Sequence, residues 1–135
     1  MMTPGLIALQ SAGDPRQTAD RLGAALQARG LTVFARIDHA AGAAAAGLSL
    51  RPAEVFIFGN ARGGTPLMQA AQTIGIDLPL KALIWQDAMG VTWLGYNDPE
   101  WLAQRHGVGA SAEAAVAAMT GMLAAVARVA TAAPA

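Results

Sequence analysis

Apolar residues arrive in this chain as short runs between polar or glycine-containing breaks, and their spacing alternates between a period of two and a period near 3.6. Residues 6–10 read as a first strand, closed by the turn residues Ser11, Ala12 and Gly13. Asp14 then stands as a helix cap, with Pro15 suited to the first helical position and Gln17 completing a capping box. Thr18, Leu22, Ala25, Leu26 and Arg29 keep helical spacing, and Gly30 supplies the left-handed stop. Residues 31–38 follow as a strand, with Val33, Ala35 and Ile37 on one face and Thr32, Phe34, Arg36 and Asp38 on the other.

The Ala/Gly run 40–47 fits either a helical turn or a flexible loop. Residues 54–58 form the next strand, with Glu54, Phe56, Phe58 and Asn60 sharing a face. Arg62-Gly63-Gly64 reads as a loop, after which Thr65 and Pro66 open a short helix ending near Gly75. Residues 80–86 and 91–96 flank Asp87-Ala88-Met89-Gly90, a hairpin pattern. Pairing Gln86 with Val91 sets Lys81 opposite Tyr96, within side-chain reach. Residues 99–105 give a short helix. Ser111 is then placed to cap a final helix of about twenty residues, about 30 Å long, with Val116, Met119, Leu123 and Val126 as its buried stripe.

Composition narrows the function classes. The 135 residues suit one domain, with a core over about 5–131 and a frayed tail at 132–135. Hydrophobic residues make up 54% and charged ones 13%, the reverse of what disorder needs. Nine basic and nine acidic side chains cancel, so no general attraction to nucleic acid or anionic membrane follows. There is no cysteine, hence no thiolate nucleophile, and the start of the chain lacks the charged leader of a signal peptide. Alanine dominates the apolar stretch 112–133, which also carries Glu113 and Arg128, so it is expected not to span a membrane. A cytoplasmic protein is expected.

Scarce polar groups gather at the ends of the apolar runs, which suggests one shared site. His39 beside Asp38 fits a general base or an oriented ligand, and equally a histidine that ends a strand. His106 after Arg105 fits an acid/base group or a cation at the carbonyl end of a helix. Lys81 with Tyr96 would stabilise developing negative charge, or pack stem against ring. Arg62-Gly63-Gly64-Thr65 invites a phosphate or carboxylate reading but has neither P-loop nor dinucleotide spacing, and an ordinary loop explains it. His39, His106, Asp38, Glu54 and Asp87 lack local metal-ligand spacing, so no metal site is expected.

The order Asp38-His39, Phe58-Gly59-Asn60, Leu78-Pro79-Leu80-Lys81, Tyr96-Asn97-Asp98-Pro99 and Arg105-His106 resembles the bacterial and archaeal family called domain of unknown function 302. The resemblance covers residues 12–122. It implies an α+β fold with a strand–helix–four-strand–helix core, its largely antiparallel sheet packed on the first and last long helices, to which the reading of the chain adds short extra helices after the third and fifth strands. It implies no particular reaction or cofactor. Where the family typically has Pro after Phe-Gly-Asn, this chain has Ala61, so a more mobile loop is expected there.

The expectation is therefore a homodimeric domain binding an unidentified small molecule through Asp38, His39, Asn60, Lys81, Tyr96 and His106. An enzyme using His39, His106, Lys81 and Tyr96 for hydrolysis or proton transfer is the alternative, and a protein–protein interaction module the third.

Overall fold

A computed structural model describes residues 3–133. In chain order the elements are β1 (Leu6–Gln10), α1 (Pro15–Ala28), β2 (Thr32–Asp38), α2 (His39–Ala45) and β3 (Ala53–Gly59). They continue with α3 (Ala61–Ala70), a 3₁₀ turn Gln72–Ile76, β4 (Leu80–Gln86), β5 (Thr92–Asn97), α4 (Pro99–His106), a 3₁₀ turn Ala110–Ala112 and α5 (Glu113–Thr131). The strands form one antiparallel sheet in the order β1-β5-β4-β3-β2. This is the α+β architecture expected, with the extra helices after β3 and β5 in place. The frayed tail anticipated at 132–135 runs past Ala133 and lies partly outside the described residues.

One sheet face is sealed by helices. Phe56, Phe58, Ile84 and Leu94 point to that side and are at most 1% exposed. Leu22 and Leu26 of α1 and Leu123 and Val126 of α5 meet them there. α1 begins as its capping box requires: Asp14 Oδ1 accepts from the Gln17 amide at 2.8 Å, and Gln17 Oε1 accepts from the Asp14 amide at 3.0 Å. It ends on Gly30, whose φ of +72° lets Leu31 donate back to the Leu26 carbonyl at 3.1 Å. α5 is long and apolar enough to cross a membrane by length and composition. Here its Val116, Met119, Leu123 and Val126 stripe is buried in the core, the face read from sequence.

Of the two readings left open for the Ala/Gly run, the structure takes the helix, with Asp38 capping α2 by accepting from the Ala41 amide at 2.9 Å. Elsewhere it departs from expectation. The supposed Arg62-Gly63-Gly64 loop is the first turn of α3, because Asn60 caps it five residues earlier than Thr65 would. Pro66 sits inside that helix rather than at its start. Ser111 lies in the 3₁₀ turn, and α5 begins at Glu113 with no side-chain cap.

Two further departures concern register. In β2, Val33 pairs with Phe58 and Ala35 with Ile57, so Phe34 is a bulge residue. Arg36 and Asp38 thereby share a face with Val33, while Ala35 and Ile37 turn to the other side. In the hairpin, Gln86 pairs with Thr92, one residue beyond the expected partner. Asp87 causes the longer turn, as its Oδ1 accepts from the amides of Met89 and Val91 at 2.9 and 3.0 Å. The one-residue slip puts Ala82, not Lys81, opposite Tyr96.

Candidate functional site

The register decides which of the sequence-derived candidates can meet. Tyr96 lies on the helix-covered face and is 6% exposed, and burial, then the nearby Asp98 charge, raises its phenol above the usual range. Lys81 points to the opposite face, exposed, with its Nζ near the carbonyl of Pro79, just before its strand, at 3.4 Å. The proposed lysine–tyrosine pair therefore does not form.

The histidines part in the same way. Asp38 pairs with Glu54 at the start of β3, whereas Asn60 follows the end of that strand. Glu54 and Phe58 alone are separated by about 13 Å of extended chain. His39, exposed in the first turn of α2, thus sits at one end of the sheet, and the β4 entry that His106 grips sits at the other. Asp38 spends its carboxylate on the α2 cap and does not orient His39.

His106 is the better-anchored histidine. Its side chain is 7% exposed, and its Nε2 lies 2.5 Å from Asp77 Oδ2. A carboxylate only accepts, so Nε2–H donates to it, while Nδ1 shares a hydrogen bond with the Thr73 hydroxyl at 2.9 Å. Arg105 adds a second donor to Asp77 at 2.6 Å. Burial alone would raise the Asp77 carboxyl, but the hydrogen bonds and charges of His106 and Arg105 outweigh it and hold it below the usual carboxylate range. The cluster locks the end of α4 onto the 3₁₀ turn that leads into β4. Among the described residues, no three His, Asp or Glu side chains gather as a metal site.

A cavity of about 610 Å³ opens beside the first turn of α3. Leu31 and Phe34 of the β2 edge, Leu78 and Pro79 before β4, and Met119 and Met122 of α5 supply its apolar wall. Asn60 joins it from the original candidates; Asp38, His39, Lys81, Tyr96 and His106 do not line it. Phe34 reaches the cavity from the bulge of β2, and Leu78 lies beside Gly64 in the first turn of α3.

The polar end of the cavity is built by one cap. Asn60 Oδ1 accepts from the Gly63 amide at 2.7 Å, and the Asn60 carbonyl accepts from Gly64 at 3.2 Å. The amides of Ala61 and Arg62 remain as donors of the turn, at the positive end of the helix. Arg62 and Arg29 both line the cavity, and neither is ion-paired among the described residues. Sequence reasoning passed over Arg29, Met68, Met119 and Met122. The Arg62-Gly63-Gly64-Thr65 motif did point here, but as a loop it gave no reason to connect it to α5.

The comparisons with known proteins agree with this fold. A structure described as an uncharacterized conserved protein DUF302 from Bacillus stearothermophilus superposes with a TM-score of 0.81, covering 92% of this chain and 96% of its own. Its sequence identity is 21%, so the likeness concerns the fold. Proteins named fluoride-specific ion channel FluC 1, from Brucella suis biovar 1 and Brucella abortus biovar 1, are each 50% identical over 115 residues. Those matches take in 85% of this chain but 45% and 43% of the relatives, so the chain spans less than half their length. The model of the family described as domain of unknown function DUF302 matches residues 7–126, and the chain belongs to that family.

Proposed function

We propose that this chain is a small-molecule-binding domain whose ligand is an amphipathic organic anion held in the cavity beside α3. The observation that carries the reading is the mixed lining of that cavity, which combines methionines and leucines with a helix start and the two arginines Arg29 and Arg62. An apolar body fits against flexible methionines, which adapt to irregular shapes. A carboxylate or phosphate fits the Ala61 and Arg62 amides, where the helix dipole and two guanidiniums favour negative charge.

Acid/base chemistry by the original cluster is not carried forward, because His39, Lys81, Tyr96 and His106 do not line the cavity. Fluoride conduction is also left to the longer relatives. A pore needs membrane-crossing elements, and the long apolar helix of this chain is built into its own core. A cytoplasmic position forms part of the proposal, supported by the absence of cysteine.

Thermal shift and calorimetry with decanoate and with decanol test the reading. Decanoate is expected to stabilise the protein, decanol to bind about tenfold more weakly, and Arg62→Ala to abolish that preference while keeping the melting temperature of the free protein. Equal binding of acid and alcohol sinks the anionic assignment. Failure of both, and of aromatic carboxylates, sinks the cavity as a binding site.

A further inference from the structure

The face of the sheet away from α1 and α5 has the wrong chemistry for water. Antiparallel sheets that face solvent on one side usually place polar residues there. Here the outward positions include Ile37, Val55, Ile57, Leu83, Trp85 and Trp93, and Lys81 is the one ionisable side chain among the described strand positions of that face. None of these six is buried, and Ile37 is 42% exposed.

The centre of this face is ordered before anything covers it. Trp85 and Trp93 stack with ring centroids 6.4 Å apart and planes 21° from parallel. Trp85 reaches over Gly95, where a Cβ would come within 2.9 Å of the ring. Trp93 is pinned by its Nε1–H, which donates to Asp87 Oδ2 at 2.9 Å. Rigid, flat aromatics flanked by aliphatic side chains are the usual anchors of protein interfaces.

We propose that this face is a homodimer interface, in which a second copy of the chain packs sheet against sheet across a two-fold axis. An apolar face that runs across the strands of a sheet is matched best by a second sheet face, and two such faces stack at about 10 Å. Five strands about 4.8 Å apart and about 20 Å long give a footprint of roughly 500 Å². Two copies then bury about 1,000 Å² before side-chain relief is counted, the lower threshold for a specific interface. A net charge of zero puts no overall repulsion between copies. Edge-to-edge pairing is disfavoured on β2, because the bulge at Phe34 breaks its ladder.

Sedimentation of the full chain over a concentration series, with tryptophan emission recorded alongside, tests this. The expected result is a dimer whose emission shifts to the red on dilution, as Trp85 and Trp93 gain water. Leu83→Glu is expected to raise the dissociation constant at least about a hundredfold while leaving far-UV circular dichroism unchanged. Should that variant unfold, Ile37→Glu on the exposed edge strand makes the same test without disturbing packed atoms. A wild-type monomer at every concentration overturns the proposal, and so does a dimer that persists in the folded variant or dissociates with unchanged emission. Decanoate binding, which uses the other side of the molecule, reads separately from either outcome.

Discussion

The two faces of the β-sheet are nearly equal in apolar content and opposite in fate. Along β3, Phe56 and Phe58 are sealed under helices, while Val55 and Ile57 of the same strand stay only half covered. Strand alternation in this chain is therefore a pattern of apolar against apolar, not apolar against polar. Burial on one side comes from the chain itself. Burial on the other needs something brought from outside, and that difference separates what stabilises the fold from what is left for recognition.

The comparison is broken most directly by paired truncations. Phe56→Ala is expected to cost about 3–5 kcal/mol in chemical denaturation, since it empties a fully buried site. The adjacent Ile57→Ala, on the open face, is expected to cost about 1 kcal/mol under monomeric conditions. Equal losses would mean that the outer face is as much a core as the inner one.

A second contrast sets the locked end of the sheet against the free end. Asp77→Asn is expected to cost about 1–2 kcal/mol at neutral pH, because it weakens the grip of His106 and Arg105 on the 3₁₀ turn. The Asp77 carboxyl is held below its ordinary value near 3.8 in the folded protein. Its contribution is thus fully present above that ordinary value and fades as pH falls through the lower folded one. Unfolding free energy measured from pH 7 down into the acid range should drop less steeply in Asp77→Asn than in wild type. Identical slopes would remove the ion cluster from the account of stability.

The smallest effects are expected where the sequence first drew attention. His39→Ala and Lys81→Ala both alter exposed side chains without strong partners, and each should shift stability by no more than about 0.5 kcal/mol. Neither should alter decanoate binding, whereas Arg62→Ala should. A loss of binding in His39→Ala would reinstate the original cluster over the cavity beside α3.

Much of the fold was legible because its signals are local. The Asp14–Gln17 capping box, the Gly30 stop and the Val116–Val126 stripe each depend on neighbours a few residues away, and each is found as read. Asn60, read from the sequence as a ligand-binding candidate, starts a helix and lines the cavity beside it. The errors all turned on choices between near-equal local options. Asn60 outcompeted Thr65 as a cap, Phe34 entered a bulge, and Asp87 gathered two amides and an indole N–H to lengthen its turn by a residue.

By itself, then, the amino-acid sequence determined the element order, the α+β class, the buried helix faces and the likeness to its family. Those follow from hydrophobic period and capping chemistry, which act within a turn or two of chain. Only the tertiary structure decided which polar groups meet. A single-residue slip in a strand pair reverses every side chain, and so sent Lys81 away from Tyr96. Likewise, α5 and the β2 edge had to pack beside α3 before Arg62, Met119 and Leu31 could enclose one cavity.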